Sequence, residues 1–436
     1  MALQTHERTP LLHEDAQTHL DDSNHMPRHA SQHATTRLAV KIAAAMYSFA
    51  SYGLFNSSIG ALLPLISTHY GLSDLHVSLI FIVGPVGYIV AAQLSSSVHH
   101  HFGQFGIAVL GPLFQIVAAA LLSLHPHFGL VLVGFAVQGL GTGLLDGSWC
   151  AWAGSMERSS TMSGLLHGSY SAGAAAAPVL VTFITTNGHA WFSWYYVLVI
   201  LSVIDALVLC TAFWNETASV YRQTHQSEDG NLKAQTKATL KFPATWWCAA
   251  YFLADVGVET AISGWIVSFM LRSRSASPYL AGLASSGFWA GMAVGRVTLG
   301  PFTDIIGVRK ATALYFAIAA LVEVLFAALP NASISVVLMM ILGFFMGPLF
   351  PSGVIVLTQL LPKELHVAAV SFVASLGQVG GALLPFGIGA VVEGFGIGIF
   401  SYAILIQSVL AMLLWIAFAR LRPAASTLEG SMAHED

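Results

Sequence analysis

Hydrophobic residues fill this chain in long runs, and polar residues collect between the runs instead of alternating with them. A membrane-spanning helix needs about 20 consecutive, mostly apolar residues. Cutting the sequence at its polar and Gly/Pro breaks leaves twelve runs of that kind. They predict spanning helices over residues 38–66, 77–98, 105–124, 128–152, 162–186, 192–214, 243–270, 280–300, 309–329, 334–360, 367–392 and 396–420.

The composition excludes a soluble protein. Of the 436 residues, 56% are hydrophobic and only 9% are charged, and the mean hydropathy is +0.71. No phosphate-binding loop, Gly-x-Ser-x-Gly elbow or His-Glu-x-x-His helix occurs between the runs. Cys150, Cys210 and Cys248 lie within runs, at spacings that suit neither a metal nor a disulfide. We therefore expect an all-α membrane protein that is not an enzyme, holds no metal or cofactor and binds no nucleic acid.

Polar segments divide the chain. Residues 1–36 are rich in His, Thr, Asp and Gln and predict a disordered tail. A second, charged segment splits the runs six and six, which predicts a linker. The predicted units are a tail over 1–36, a first six-helix bundle over 37–214, a linker over 215–242, a second bundle over 243–421 and a C-terminal tail over 422–436.

Basic residues predict the orientation in the membrane. If the N-terminus is cytosolic, 15 of the 17 Lys and Arg residues fall inside or at inner helix ends. Only Arg272 and Arg274 fall outside. Because cytosolic loops carry an excess of Lys and Arg, both termini and the linker are expected in the cytosol.

The N-terminal tail carries a candidate sorting signal. Glu7, Leu11 and Leu12 belong to the stretch Glu-Arg-Thr-Pro-Leu-Leu, which resembles an acidic dileucine signal for vacuolar or lysosomal membranes. A cytosolic tail would expose it to a sorting adaptor. The plasma membrane is the alternative location. Asn331 is the one Asn-x-Ser/Thr site expected outside, in a loop short for glycosylation.

The two groups of six runs are related by an internal repeat. Shifting the chain by 204 residues without a gap superimposes seven pairs of glycines, where glycine frequency alone predicts about two. The pairs are Gly53/Gly257, Gly60/Gly264, Gly87/Gly291, Gly103/Gly307, Gly139/Gly343, Gly143/Gly347 and Gly173/Gly377. Repeated halves are typical of transporters, which bind their solute between the halves near the bilayer midplane.

A charged motif interrupts the second half. It joins two apolar runs, so it is expected at a membrane surface, where small residues let the helices approach and Arg296 and Asp304 meet. The stretch Gly-x-x-x-Asp-x-x-Gly-x-Arg-Lys resembles the loop motif of the major facilitator superfamily, with Ile305 where that family usually has a basic residue. The resemblance implies a conformational latch made by Gly295, Arg296, Gly300, Asp304, Gly307, Arg309 and Lys310.

Within the superfamily, three stretches resemble fungal members of the fucose:proton symporter-like branch. They are Leu145-Asp146, residues 165–168 and residues 257–265. Bacterial members of that branch carry an acidic residue in the first helix shortly before a proline, whereas this chain has Gly60 ahead of Pro64. The resemblance therefore supplies no proton site on the first helix, and helices 4, 5 and 7 must provide one.

Four ionisable residues inside predicted spans are the first site candidates, because unpaired charge in lipid is costly. Asp146 and His167 fall at similar depth on adjoining helices, so we expect them to pair and to titrate near cytosolic pH. The alternative is that each only makes structural hydrogen bonds between helices. Asp255 and Glu259 are four residues apart on one helix face, so one of them is expected to hold a proton near neutral pH. Their alternative role is to cap irregular helix backbone near Gly257.

The absence of Lys and Arg from the middle of the predicted helices restricts the charge of the solute. No Lys or Arg falls in the central part of a predicted helix, so a carboxylate or phosphate solute would lack a fixed counter-charge. Neutral or cationic solutes fit better. The resemblance implies that helices 1, 4, 7 and 10 line the cavity, where hydrogen-bonding or stacking groups are Asn56, Gln138, Trp265 and Gln359.

These observations predict a secondary transporter that moves a small neutral or cationic organic solute, such as a sugar or polyol, by alternating access. The proton gradient is the expected energy source, so the partners are solute, protons and the lipid bilayer. Two alternatives remain open: an efflux transporter for a secondary metabolite or toxic compound, and a membrane sensor that keeps the fold without transporting. The 204-residue shift places Ala92 and His100 opposite Arg296 and Asp304, which predicts a latch in the second half only.

Overall fold

The computed structural model describes residues 28–156, 159–224, 235 and 237–422. Glu7, Leu11 and Leu12 of the predicted sorting signal lie outside these residues. Within them every regular element is helical, and no strand occurs.

The first half contains six helices and the second half eight. The first are α1 Arg28–Tyr70, α2 Asp74–Val77, α3 Ile80–Ser123, α4 Phe128–Gly154, α5 Ser159–Thr186 and α6 Ser193–Ala212, followed by α7 Ala218–Thr224 in the predicted linker. The second are α8 Pro243–Arg272, α9 Pro278–Thr298, α10 Gly300–Ile306, α11 Val308–Ala328, α12 Ala332–Met346, α13 Leu349–Leu360, α14 His366–Phe395 and α15 Phe400–Ala419, with 3-10 turns at Lys363–Leu365 and Ile397–Ile399.

Ten helices among the described residues are long and apolar enough to cross a membrane. One of them runs from Asp74 to Ser123 over 50 residues, and it contains two crossings because Gly103, with φ +70°, turns the chain between them. Helix α9, which is 21 residues long and contains several glycine and serine residues, is the remaining crossing. Helices α12 and α13 form one crossing with a break at Gly347-Pro348. The twelve predicted spans are therefore confirmed.

The 204-residue repeat is visible in how α3 packs on α4 and α9 on α12. A Cβ on Gly87 would lie 2.0 Å from the Ala136 carbonyl oxygen, and a Cβ on Gly291 would lie 2.0 Å from that of Met340. The glycines and their carbonyl partners are both 204 residues apart, so the backbones meet in the same way. Two further pairs of contacts follow the same relation. A Cβ on Gly139 would meet the Gly84 carbonyl oxygen as one on Gly343 would meet that of Phe288, and a Cβ on Gly143 would meet the Tyr88 carbonyl oxygen as one on Gly347 would meet that of Met292.

Both ends of the described chain lie on one face of the bundle, because each half crosses an even number of times. We call this the terminal face and the opposite one the distal face. The distal face joins the two halves: Arg272, which ends α8, donates to the two carboxylate oxygens of Asp74 in α2 at 2.6 and 3.0 Å. The Leu75 N–H next to it donates to Glu393 of α14 at 3.3 Å. One of the two basic residues predicted outside therefore holds the halves together.

Further contacts join the halves between the distal face and the terminal face. Midway along α5, the Val179 N–H donates to the Ser286 hydroxyl of α9 at 3.2 Å. Further along, Arg296 of α9 donates to the Ser171 hydroxyl and to the His167 carbonyl oxygen of α5. We call the region between the halves, where these side chains lie, the chamber.

Candidate functional site

Asp146 is the polar centre of the first half. It lies on α4 and accepts hydrogen bonds from Tyr52 of α1 at 3.1 Å and from Tyr88 of α3 at 2.7 Å. Three helices that are far apart in sequence therefore meet at one carboxylate. Asp146 is only half-buried, so part of it faces the chamber.

The predicted direct pairing of Asp146 with His167 is wrong in this structure, because Cys150 lies between them. The Cys150 Sγ is 3.7 Å from Asp146 Oδ1 and 3.9 Å from His167 Nε2. No ion pair between the two residues occurs among those of the described chain. Cys150 follows Asp146 by one helical turn on the same face, and this position fills the gap.

Asn56 and Gln138, two of the predicted solute-binding residues, contact each other in the structure. The Gln138 side-chain amide donates to Asn56 Oδ1 at 2.8 Å and to the Thr142 hydroxyl at 2.8 Å. Gln115 of α3 adds a hydrogen bond to the same hydroxyl at 3.0 Å. Gln138 is buried, whereas Asn56 is half-buried. Of these side chains, Asn56 is therefore the one that a solute could reach.

Arg296 does not meet Asp304, which corrects the expected latch contact. It lies in the last turn of α9, where helical side chains point back toward the N-terminus, and its guanidinium contacts Met292 Sδ one turn earlier at 3.2 Å. It donates across the interface to Ser171 Oγ at 2.6 Å. Asp304 is exposed on the short helix α10. The inference that no cation reaches the centre is wrong as well, because Arg296 points into the interface.

Glu259 lies beside Arg296, with 3.9 Å between a carboxylate oxygen and the guanidinium. Both side chains are largely buried, at 18% and 16% exposure. Asp255 precedes Glu259 by one turn of α8 and is 3% exposed. Within the described chain no ion pair or hydrogen bond reaches Asp255. Two carboxylates therefore share one nearby guanidinium at the boundary with the first half.

The rest of the predicted latch lies at the terminal face. Gly307 has φ +87° and forms the turn between α10 and α11. Arg309 donates to the carbonyl oxygens of Ala419 and Leu421 at 2.8 and 3.0 Å, so it holds the end of α15. Gly300 and Lys310 lie in the same surface segment. Gly295 of α9 packs directly against the backbone of Phe344.

Two predicted solute-binding residues lie elsewhere. Trp265 is fully buried, and its indole N–H donates to the Pro385 carbonyl oxygen at 2.9 Å, so its polar atom is already used. Gln359 is exposed at the terminal face, where it lines a surface pocket of ≈ 300 Å³ together with Arg309 and Lys310. Asn331 accepts a hydrogen bond from the Ile334 N–H and caps α12 on the distal face.

Aromatic rings surround the chamber side of these polar groups. The rings of Tyr52 and Tyr170 have centroids 4.8 Å apart, and Tyr170 meets Trp289 of the second half edge-on at 5.5 Å. Phe49 packs on Tyr52 at 5.1 Å and on His167 at 5.8 Å. The ring of Phe350 approaches His167 from the other half at 6.2 Å. The site is thus built from both halves.

The site also contains residues that were not predicted from the sequence, among them Tyr52, Tyr88, Cys150 and Tyr170. Cys150 had a usable signal, because it is four residues after Asp146 on a helix. The tyrosines had none, since each is one aromatic residue within a long apolar run and its partner lies on another helix. Their side chains were indistinguishable from membrane-interface anchors by pattern alone.

Comparison with known proteins identifies the family. The chain is 29% identical over 411 residues to "Bypass of stop codon protein 6" of Saccharomyces cerevisiae, which covers 87% of this chain and 82% of that protein. Its fold is similar to a crystal structure of a mutant of the nucleoside transporter NupG, with a TM-score of 0.70 at 14% identity, covering 87% of this chain and 98% of that one. The sequence model of the Major Facilitator Superfamily matches residues 45–271 and 247–433. Twelve membrane-spanning helices, a repeated pair of halves and this match establish that the chain belongs to the Major Facilitator Superfamily of transporters, and not to the enzymes.

Proposed function

We propose that this transporter couples the movement of a small neutral or cationic polar organic solute to the movement of protons, by alternating access of the chamber between its halves. The observation that carries the proposal is the group formed by Asp255, Glu259 and Arg296. It places two buried carboxylates and one guanidinium at the boundary between the halves.

Charge balance in this group favours a proton as the coupling ion. One guanidinium compensates one carboxylate, and the second carboxylate needs a proton or another cation in a medium of low dielectric constant. Because Arg296 also donates to Ser171 of the other half, a change in the charge of Glu259 changes the contact between the halves. Binding of a proton and rearrangement of the halves are thereby linked. The resemblance to the fucose:proton symporter-like branch agrees with this coupling.

The solute preference follows from how Arg296 is used. Its donors already face Ser171, the carbonyl oxygens of His167 and Gly347, and Glu259. A carboxylate or phosphate solute would have to displace these acceptors. Asn56 and the tyrosines on the chamber side offer hydrogen bonds to a neutral or cationic solute instead.

The side on which the chamber opens is proposed from the distribution of basic residues. With both termini in the cytosol, the terminal face is the cytosolic face, and the chamber is proposed to open there because the ion pair between Arg272 and Asp74 joins the halves at the distal face. The membrane is proposed to be the plasma membrane or the vacuolar membrane, and binding of a sorting adaptor to the N-terminal tail remains part of the proposal.

Proton movement in liposomes tests the coupling. The purified protein is placed in liposomes that contain a pH-sensitive dye, and a metabolite extract of yeast cells is added outside. We expect a pH change that depends on the extract and is lost in Glu259→Gln. The control is Glu364→Gln, which removes an exposed carboxylate in the 3-10 turn Lys363–Leu365. Uptake of solute that is indifferent to an imposed proton gradient would reject coupling.

A further inference from the structure

Asp146 is a carboxylate that forms no ion pair with another described residue. Tyr52 and Tyr88 each donate one hydrogen bond to it, one to each oxygen. Among the ion pairs of the described chain none includes Asp146, and Arg296 lies beside Glu259 instead. A carboxylate within a spanning helix therefore has hydrogen bonds but no counter-charge, which is an expensive arrangement in a membrane.

The hydrogen bonds indicate which form of Asp146 the site is built for. A phenol has one hydrogen to donate, and a carboxylate accepts at both oxygens. The Cys150 thiol also donates toward Asp146 Oδ1, at 3.7 Å. Two hydroxyl groups and one thiol therefore direct their hydrogens at Asp146, an arrangement that suits a carboxylate that accepts at both oxygens and binds a cation from outside.

The surroundings favour an organic cation over a metal ion. Within the described residues, no three His, Cys, Asp or Glu side chains are placed to hold a metal. Aromatic rings lie beside the carboxylate instead, with Tyr52 and Tyr170 at a centroid distance of 4.8 Å and Trp289 at 5.5 Å from Tyr170. The faces of such rings attract ammonium and guanidinium groups.

The carboxylate can be reached from the chamber. Asp146 and Tyr170 are half-buried, not enclosed. A Cβ built on Gly147 or on Gly168, each next to a residue of this group, would have no atom within 4 Å. The partial exposure of Asp146 and Tyr170 and the free space along these two helices make the carboxylate accessible to a solute.

We propose that the transported solute is an organic cation, whose ammonium or guanidinium group binds Asp146 beside the half-buried ring of Tyr170. This inference rests on the proposed transport function and narrows its solute class. It also divides the work between the halves: Asp146 in the first half binds the solute charge, and the pair Asp255 and Glu259 in the second half takes the proton. Trp289 of the second half packs edge-on against Tyr170, so the bound solute lies next to a contact between both moving parts.

Fractionated uptake tests the solute class. A yeast metabolite extract is passed over a strong cation exchanger at neutral pH, which retains organic cations and lets neutral and anionic compounds through. Each fraction is offered to liposomes with the purified protein, and the accumulated compounds are identified by mass spectrometry. We expect accumulation from the retained fraction, reduced at least about tenfold in Asp146→Asn and unchanged in Glu364→Gln, which removes an exposed carboxylate. Accumulation from the unretained fraction alone would overturn the cation proposal and leave transport standing, whereas accumulation from neither would overturn transport itself.

A second pair of variants keeps the proposal testable if Asp146→Asn does not fold. Tyr170→Phe retains the aromatic face and Tyr170→Leu removes it. With the compound identified above, we expect uptake at low concentration to fall about tenfold in Tyr170→Leu, since a desolvated cation–ring contact is worth about that factor. Tyr170→Phe is expected to stay within about twofold of the unchanged protein. Equal uptake by the two variants would show that no cation rests on this ring.

Discussion

The two halves share their backbone packing but not their polar residues. Gly87 and Gly291 meet carbonyl oxygens that are themselves 204 residues apart, so the same helix contact occurs twice. The same shift places Phe350 opposite Asp146 and Phe55 opposite Glu259. The repeat therefore preserves the close approach of helices, which any bundle of this kind needs, while each ionisable group of the site occurs once. A solute between the halves meets a carboxylate with tyrosines on one side and a carboxylate with an arginine on the other.

The turn between the second and third crossings of each half shows the same division. Gly103 and Gly307 both have positive φ, at +70° and +87°. In the first half the Phe105 N–H donates to the Glu216 carbonyl oxygen at 2.9 Å. In the second half the residue at the corresponding position is Arg309, whose side chain donates to carbonyl oxygens just after α15. Both turns thus hold the segment that leaves the last helix of their half, one with backbone and one with a guanidinium.

The largest expected effect comes from breaking the contact that the halves share. Gly87→Ala and Gly291→Ala each put a methyl group 2.0 Å from a carbonyl oxygen, so each should destabilise the protein by about 3 kcal/mol or more. Thermal unfolding of the purified protein in detergent measures the loss. Gly147→Ala is the control, because no atom lies within 4 Å of its new methyl group. Loss of stability in one half alone would show that the repeated packing does not carry equal weight.

The next effect concerns a residue that only one half has. Arg296→Ala removes the hydrogen bonds to Ser171 and to the His167 carbonyl oxygen and leaves Glu259 without its cation. We expect uptake in liposomes to fall at least about tenfold, because charge-assisted hydrogen bonds of this kind are worth about 1.5–3 kcal/mol each. Arg296→Lys should keep part of the activity, since it retains charge but not the fork of donors.

The matched control for Arg296 is Ala92→Ser, at the corresponding position of the first half, which is exposed and should leave uptake unchanged. Full activity in Arg296→Ala would mean that the contact between α9 and α5 has no part in transport. The result would also separate the interface role of Arg296 from the latch role that its motif implied.

The features that the two halves share could be predicted from the sequence, whereas most contacts of their polar residues could not. The lengths of the apolar runs predicted all twelve crossings, since the membrane thickness dictates helix length, and spacing alone found the glycine contacts. Asp146, Asp255 and Glu259 stood out because charge is rare in spans. Their partners did not: Tyr52 and Tyr88 come from other helices, and only packing brings them to Asp146. The position of Arg296 on its helix was predicted correctly, but the direction of its side chain was not. A motif gives the position of a residue and not the direction of its side chain.

The smallest expected difference lies between the two turn glycines. Gly103→Ala and Gly307→Ala both force a side chain into a backbone region that suits glycine, at a cost of about 1–3 kcal/mol. Gly103 bears a second cost, because its new methyl group would lie 2.5 Å from the Glu216 carbonyl oxygen, whereas nothing lies within 4 Å at Gly307. We therefore expect the free energy of unfolding of Gly103→Ala to be lower than that of Gly307→Ala by about 1–2 kcal/mol. Thermal unfolding measures the difference. Equal stability would mean that the segment after α6 yields to the methyl group, and that the first half is not held more tightly than the second at this turn.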